Sequence, residues 1–360
     1  MKVIVSAGGT GGHIYPALAI INRIKKMEPD SSILYIGTHN RMEKDIVPAN
    51  NIPFKSIEIY GFNGKNPFKN IKTVKCFISS YKKCKDIIKK FNPDVVIGVG
   101  GYVTGPVVYA AQKLGFKTFI HEQNSIPGKC NNFLSKKCDK IGVSFKSTLN
   151  YFPSGKAIFT GNPCSESAIN SIAIEKSELG LSNEKKLVYI VMGSLGSEKM
   201  TEFLVKSIYM FNNKPYEVLF VTGKASFEMV KNNEFPSNVK VVPYIDNQSR
   251  VLKKADLVVS RCGASTLSEI IALGKPSILI PSPYVANNHQ YKNALDLTNR
   301  NAAILLEEKD LQGDILVRKI DELINNEKKL ADMKNNLQEL YIPNSAQKIY
   351  NILKEMVDKK

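Results

Sequence analysis

Residues 2–13 read KVIVSAGGTGGH and residues 187–197 read LVYIVMGSLGS. Each is an apolar run of strand length that passes into glycines and then into helical periodicity. A strand that exits through glycine into a helix is a ligand-facing corner of an α/β unit, because glycine lets the backbone approach a polar ligand at the helix N-terminus. Further strand-like runs at 32–36, 95–98, 118–121 and 140–143 follow the first stretch, and runs at 217–221, 239–242, 257–260 and 277–280 follow the second. Strands alternating with helical patterns predict α/β architecture with parallel sheets covered by helices. The internal echo predicts two such units in tandem. Their boundary is placed after Thr160-Gly161-Asn162-Pro163, giving 1–163 plus a returning C-terminal helix, 342–360, as one domain and 164–341 as the other.

The 360 residues fit about two domains. With 43% hydrophobic and 23% charged residues, global disorder and rod-like folds are excluded. The longest uncharged stretch, 95–112, is interrupted by five glycine or proline positions and reads as strand, loop and helix start rather than a membrane span. Only residues 3–7 separate Lys2 from the glycines, too few for a signal peptide, so a cytosolic protein is expected. Six cysteines without a C-x-x-C pair and four scattered histidines indicate neither a disulfide framework nor a zinc site. The net charge of +17 is uneven: residues 1–162 carry +15 of it. Between Lys65 and Lys90 stand nine lysines against Asp86, interleaved with Phe68, Ile71, Val74, Phe77, Ile78 and Tyr81 at helical spacing. That basic amphipathic helix suits a core helix with a solvated face or a helix that touches anionic lipid. Nucleic acid is disfavoured, since Arg23 and Arg41 are the only arginines in this half.

Four loops carry candidate chemistry. In Gly8-Gly9-Thr10-Gly11-Gly12-His13 the terminal histidine is placed to take a proton from a hydroxyl, or to cap a helix start. The loop does not read G-x-G-x-x-G and no P-loop occurs. Gly98 to Pro106, with Gly100, Gly101 and Tyr102, offers backbone amides to an anion. His121-Glu122-Gln123-Asn124 puts four polar side chains at a strand end. Arg261 to Glu269 runs from a strand into a helix, where Thr266 and Glu269 have capping-box spacing; alternatively, Glu269 accepts ribose hydroxyls while amides from Ala264 onward face a phosphate. No D-x-D occurs, so helix dipoles and amides rather than a metal would stabilise a leaving diphosphate.

These motifs, with Thr160 to Pro163, His289-Gln290-Tyr291 and Asn293 in order along essentially the whole chain, closely resemble the family 28 glycosyltransferases that convert lipid I to lipid II in peptidoglycan synthesis. The resemblance implies a GT-B fold, two Rossmann-like domains with parallel sheets facing a deep cleft. It implies an N-acetylglucosaminyltransferase that moves the sugar, with inversion, from UDP-N-acetylglucosamine to the 4-hydroxyl of the N-acetylmuramyl unit of lipid I. By analogy His13 is the base. Thr10, Gly11, Gly12, Asn124, Ser165, Ser194, Ile245 (for the uracil), Ala264, Ser265, Thr266, Leu267, Ser268, Glu269 and Gln290 match donor positions. Gly11, Gly12, Gly100, Gly101 and Tyr102 would face the acceptor diphosphate, with no metal and no cofactor. The family attaches peripherally to the cytoplasmic face of the cell membrane, a role for Phe68, Ile71, Lys72, Lys75, Phe77, Ile78 and Lys82, and cell-wall synthesis proteins are possible partners.

Two departures stand out. Ser165 occupies the place of a usual donor-binding arginine, and the third glycine loop, Met192 to Ser197, keeps only the core of its pattern. The rival readings are a GT-B enzyme with another lipid acceptor such as diacylglycerol, a non-catalytic nucleotide-sugar-binding protein, and a basic RNA-binding protein. The first loop and the His-Glu-Gln-Asn run argue against the first, His13 and Glu269 against the second, and scarce arginine against the third.

Overall fold

The computed structural model describes residues 1–61, 69–193 and 196–359, so Phe68 and Ser194 lie outside the described residues. The chain divides into two compact units, Met1–Cys164 with Asn344–Lys360, and Ser165–Pro343.

The first unit alternates β1 (Lys2–Ser6), α1 (Gly11–Met27), β2 (Ser32–Thr38), α2 (Glu43–Ala49), β3 (Phe54–Ile57), α3 (Lys69–Phe91), β4 (Val95–Gly98), α4 (Thr104–Leu114), β5 (Lys117–Glu122), α5 (Lys129–Ser135), β6 (Lys140–Val143) and β7 (Ala157–Phe159). These strands form one sheet in the order β3-β2-β1-β4-β5-β6-β7, every neighbour parallel. Side chains alternate across the pleat: Val3 and Val5 enter one core layer and Ile4 the other. The first layer holds α1 together with Ile349, Tyr350, Leu353 and Met356 of the last helix of the chain.

The second unit contains α6 (Cys164–Asn170, whose first residue belongs to the first unit), β8 (Lys186–Val191), α7 (Glu198–Ser207), β9 (Tyr216–Val221), α8 (Lys224–Phe227), β10 (Val239–Val242) and α9 (Gln248–Leu252). It continues with β11 (Leu257–Ser260), α10 (Ala264–Leu273), β12 (Ser277–Leu279), α11 (His289–Thr298), β13 (Ile304–Leu305), α12 (Ile315–Ile324) and α13 (Glu327–Leu340). Its sheet order is β10-β9-β8-β11-β12-β13, again all parallel. The last helix, α14 (Ser345–Asp358), returns to the first unit.

Both sheets reverse their winding once, between β1 and β4 and between β8 and β11. Such switch points leave a crevice at the carboxyl ends of the two flanking strands, because the following helices cross to opposite faces. The glycine loops leave the sheets at these ends. Among the described residues no helix is long and apolar enough to cross a membrane.

Candidate active site

In the first unit the register Ser6↔Gly98 sets the loops after β1 and β4 side by side, and Gly8 N–H donates to Gly100 O at 3.2 Å. Their closeness requires glycine. A Cβ on Gly101, whose φ is +88°, would stand 2.3 Å from the Gly8 carbonyl oxygen, and one on Gly100 would stand 2.5 Å from the His13 ring. Thr10 is the N-cap of α1, extended at φ −143°, so Gly11, Gly12 and His13 form the first helical turn. Thr10 and Gly12 are exposed, His13 is half-buried, and Tyr102 is 62% exposed.

The His13 ring is oriented by its own loop: Nδ1 lies 3.0 Å from Gly8 O. A carbonyl oxygen only accepts, so Nδ1 carries the proton and, in the neutral ring, Nε2 is the basic nitrogen. His121 is the contrast. It is fully buried, its Nε2–H donates to Gly161 O at 3.1 Å, and Nδ1 accepts from Gln123 at 3.0 Å. Burial lowers its pKa to about 4, leaving a neutral structural ring. Glu122 also turns inward and accepts from Asn124 N–H (3.0 Å), Gly128 N–H (3.0 Å) and Asn131 Nδ2 (2.8 Å). All four side chains of the His-Glu-Gln-Asn run are engaged, Asn124 through Nδ2 to Glu122 Oε1 at 3.2 Å, and Asn124 alone is half-exposed.

Sequence reading passed over Glu43, the first residue of α2. Its fully buried carboxylate accepts Thr38 N–H (3.0 Å), the Thr38 hydroxyl (2.6 Å) and Gly9 N–H (3.1 Å). No local pattern marks it, since its target lies 34 residues earlier.

In the second unit, α10 starts at Ala264 with Gly263 as N-cap and no side-chain cap. The capping box that Thr266 and Glu269 allowed is thus not formed: both lie inside the helix. Leu267 is fully buried and offers a ligand only its backbone, while the Ser268 hydroxyl donates back to Ser265 O at 2.7 Å. The Ser265 hydroxyl is buried without a protein hydrogen-bond partner. Glu269 Oε2 accepts from Gln248 Nε2 at 2.6 Å, a contact that sequence alone did not suggest. Burial pushes the Glu269 carboxyl up to about 7, against hydrogen bonds from Gln248 and Ser249 that pull it down. Ile245 is half-buried in the loop before α9, Gln290 Oε1 accepts Ser282 N–H at 2.8 Å, and Ser165 is buried in α6.

Arg261, directly after β11, is also built in. It pairs with Glu308 at 2.7 Å, both 6–8% exposed, and donates to Ser197 Oγ at 3.1 Å and to Ile280 and Pro281 carbonyls at 3.3 Å. Asn293 donates to Cys262 O at 3.1 Å. These contacts tie the loops at this switch point together.

On α3 the buried face is Thr73, Ser80, Cys84, Ile87 and Ile88. Phe77 turns inward and is half-buried, its ring 6.2 Å from Tyr109. Ile71 (55%), Val74 (43%) and Ile78 (50%) stay exposed beside exposed Lys72, Lys75 and Lys82.

The sequence profile described as the glycosyltransferase family 28 N-terminal domain matches residues 3–143, and that of the family 28 C-terminal domain matches residues 187–354. The chain belongs to glycosyltransferase family 28. It is 49% identical, over 100% of both chains, to the UDP-N-acetylglucosamine--N-acetylmuramyl-(pentapeptide) pyrophosphoryl-undecaprenol N-acetylglucosamine transferase of Bacillus cytotoxicus. It has the same identity and coverage with transferase 1 of that name from Bacillus cereus. The crystal structure of Acinetobacter baumannii MurG matches with a TM-score of 0.77 at 26% identity, over 98% of this chain and 99% of that one. The two parallel α/β sheets of this chain match that structure over nearly their whole length.

Proposed function

We propose that this chain transfers N-acetylglucosamine, with inversion, from UDP-N-acetylglucosamine to the 4-hydroxyl of the N-acetylmuramyl-pentapeptide of lipid I, giving lipid II. The observation that carries the chemistry is the orientation of His13, whose Nδ1–H is committed to Gly8 O. Nε2 then takes the proton of the acceptor hydroxyl as its oxygen attacks the anomeric carbon and the bond to the UDP oxygen breaks on the opposite face. General-base assistance of this kind contributes roughly 10²–10⁴-fold. In the second unit the amides opening α10 and the Ser265 hydroxyl receive the diphosphate. Glu269 accepts the ribose hydroxyls, Ile245 faces the uracil, and Thr10, Gly11, Gly12, Asn124, Ser165, Ser194 and Gln290 complete the donor contacts. Gly11, Gly12, Gly100, Gly101 and Tyr102 serve the acceptor diphosphate.

Membrane attachment is peripheral, at the cytoplasmic face. The exposed Ile71, Val74 and Ile78 within a lysine field support it, since short apolar insertion plus several lysines gives reversible binding to anionic lipid.

The test is transfer of radiolabelled N-acetylglucosamine to a lipid I analogue, with EDTA present and diacylglycerol as the control acceptor. Labelled lipid II with an inert control is expected, and His13→Ala abolishes it while UDP still binds. Label on diacylglycerol alone, or normal turnover by His13→Ala, overturns the reading. Reversal of Lys72, Lys75 and Lys82 to glutamate is expected to release the protein from anionic vesicles; unchanged co-sedimentation removes the membrane role.

A further inference from the structure

The Gly8 carbonyl that accepts from His13 and the Gly9 N–H that donates to Glu43 belong to one peptide group. The order is therefore Glu43 Oε2, Gly9 N–H, Gly8 C=O, His13 Nδ1–H, with donor–acceptor distances of 3.1 Å at the carboxylate and 3.0 Å at the imidazole. We propose that Glu43 is a positioning residue for the transfer reaction, holding His13 in the Nδ1–H tautomer by polarising the Gly8–Gly9 peptide between them. The proposal rests on His13 acting as the base.

The physical argument has three parts. A peptide whose N–H is bound to a carboxylate carries more negative charge on its carbonyl oxygen, because hydrogen bonds in series polarise one another. The Gly9 N–H bond to the carboxylate is charge-assisted and roughly twice as strong as a neutral one, and the polarised Gly8 oxygen in turn binds Nδ1–H more strongly. The effect is the one a carboxylate exerts by direct contact in a Ser-His-Asp triad, where it selects the tautomer and supports the imidazolium. Here a peptide group stands between, and no proton crosses it: Nδ1 keeps its hydrogen while Nε2 takes up the one from the acceptor hydroxyl.

The surroundings leave this arrangement little freedom. Glu43 is fully buried, and its other oxygen is occupied by the N–H and hydroxyl of Thr38. Gly8 and Gly37 make the space it fills: a Cβ on Gly8 would lie 2.3 Å from Glu43 Oε1, and one on Gly37 would lie 2.7 Å from its Cγ. On the far side the His13 ring lies against Gly100, where a Cβ would come within 2.5 Å of Cδ2. Three glycines from three separate segments, Gly8, Gly37 and Gly100, thus make room for one carboxylate and one imidazole.

Glu43→Gln separates charge from shape. Two donors converge on Oε1, so the amide oxygen settles there and the amide NH₂ is left facing Gly9 N–H, donor against donor. The first readout is the ¹⁵N spectrum of His13 at about pH 8, above the ordinary histidine range. The chain has four histidines, and His13→Gln assigns the signal. Wild type is expected to show Nδ1–H and Glu43→Gln to show a measurably larger Nε2–H fraction than wild type. The second readout is kinetic: kcat falls roughly 10–100-fold, with KM for UDP-N-acetylglucosamine within about twofold. Thr38→Val removes a different hydrogen bond from the same carboxylate and is expected to keep the Nδ1–H tautomer. The proposal is overturned by an Nε2–H ring in wild type, by an unchanged tautomer in Glu43→Gln, or by an equal change in Thr38→Val. Should Glu43→Gln fail to fold, the wild-type and Thr38→Val spectra decide. If wild type transfers no sugar, the functional reading falls while the spectra still judge the relay.

Discussion

Replacing Glu269 with glutamine is expected to make the second unit more stable and worse at holding UDP. Burial raises the folded-state pKa of Glu269 from 4.5 to about 7. At about 1.4 kcal/mol per tenfold change in proton affinity, that distance corresponds to about 3 kcal/mol. The native state binds this proton more tightly than the unfolded chain does. The contribution is therefore fully present below about 4.5, declines as pH rises, and is gone above about 7. Glutamine has no charge to desolvate and keeps an oxygen for Gln248 Nε2, now 2.6 Å from the carboxylate. Denaturant titrations of wild type and Glu269→Gln at about pH 4.5 and pH 8 should show little difference at the lower pH. At the higher pH the variant should be more stable by up to about 3 kcal/mol. In calorimetric titration at pH 8, UDP affinity should fall roughly 10–100-fold, the cost of weakening hydrogen bonds to a charged acceptor. A variant no more stable at pH 8, or a gain independent of pH, would refute the argument that this carboxylate is held at a folding cost for the nucleotide.

Arg261→Met leaves Glu308 buried with Lys199 as its remaining cation, and the second unit should lose about 3–5 kcal/mol in calorimetry; a loss under about 1 kcal/mol would show the pair to be dispensable. Gly101→Ala puts a Cβ 2.3 Å from Gly8 O at φ +88° and should cost about 1–3 kcal/mol together with most transfer activity. Gly115→Ala, at φ +79° with open space around the new Cβ, should cost only about 1 kcal/mol and leave activity intact, so equal effects of the two would discount the crowding. His121, its pKa lowered by burial from 6.5 to about 4, adds about 3 kcal/mol to the first unit above pH 6.5, lost as pH falls through about 4. Its NMR titration should show a neutral ring at pH 5, and protonation near 6.5 would contradict the burial argument.

The fold class was legible because central strands are buried on both faces and are mostly apolar, as in Val95–Gly98 and Leu257–Ser260. The strands absent from the sequence reading are Phe54–Ile57, Ala157–Phe159 and Ile304–Leu305. All three are sheet edges. An edge strand pairs on one side and can be short and half-exposed, so it leaves no long apolar run. The same division holds around the candidate site. Glycine loops announce themselves locally, at strand exits. Glu43, Gln248 and the Arg261–Glu308 pair act across 21 to 47 residues of chain, and no periodicity or spacing encodes such a meeting. Phe77 shows the opposite limit: helical spacing groups it with Ile71 and Ile78, yet the neighbouring Tyr109 ring decides that it turns inward.

Helix α14 has a consequence for synthesis. The first unit is made of two separated pieces of chain, and its core includes Ile349, Leu353 and Met356. The N-terminal amine and the Tyr350 hydroxyl meet on one carboxylate, that of Glu28. Domains ordinarily fold in the order they leave the ribosome. Here the piece made first waits: when Pro343 has emerged, the second unit has all its residues while the first still exposes the groove on α1 that α14 will cover. The half that carries His13 is therefore the last to be finished, although its first strand is the first part of the chain to be made.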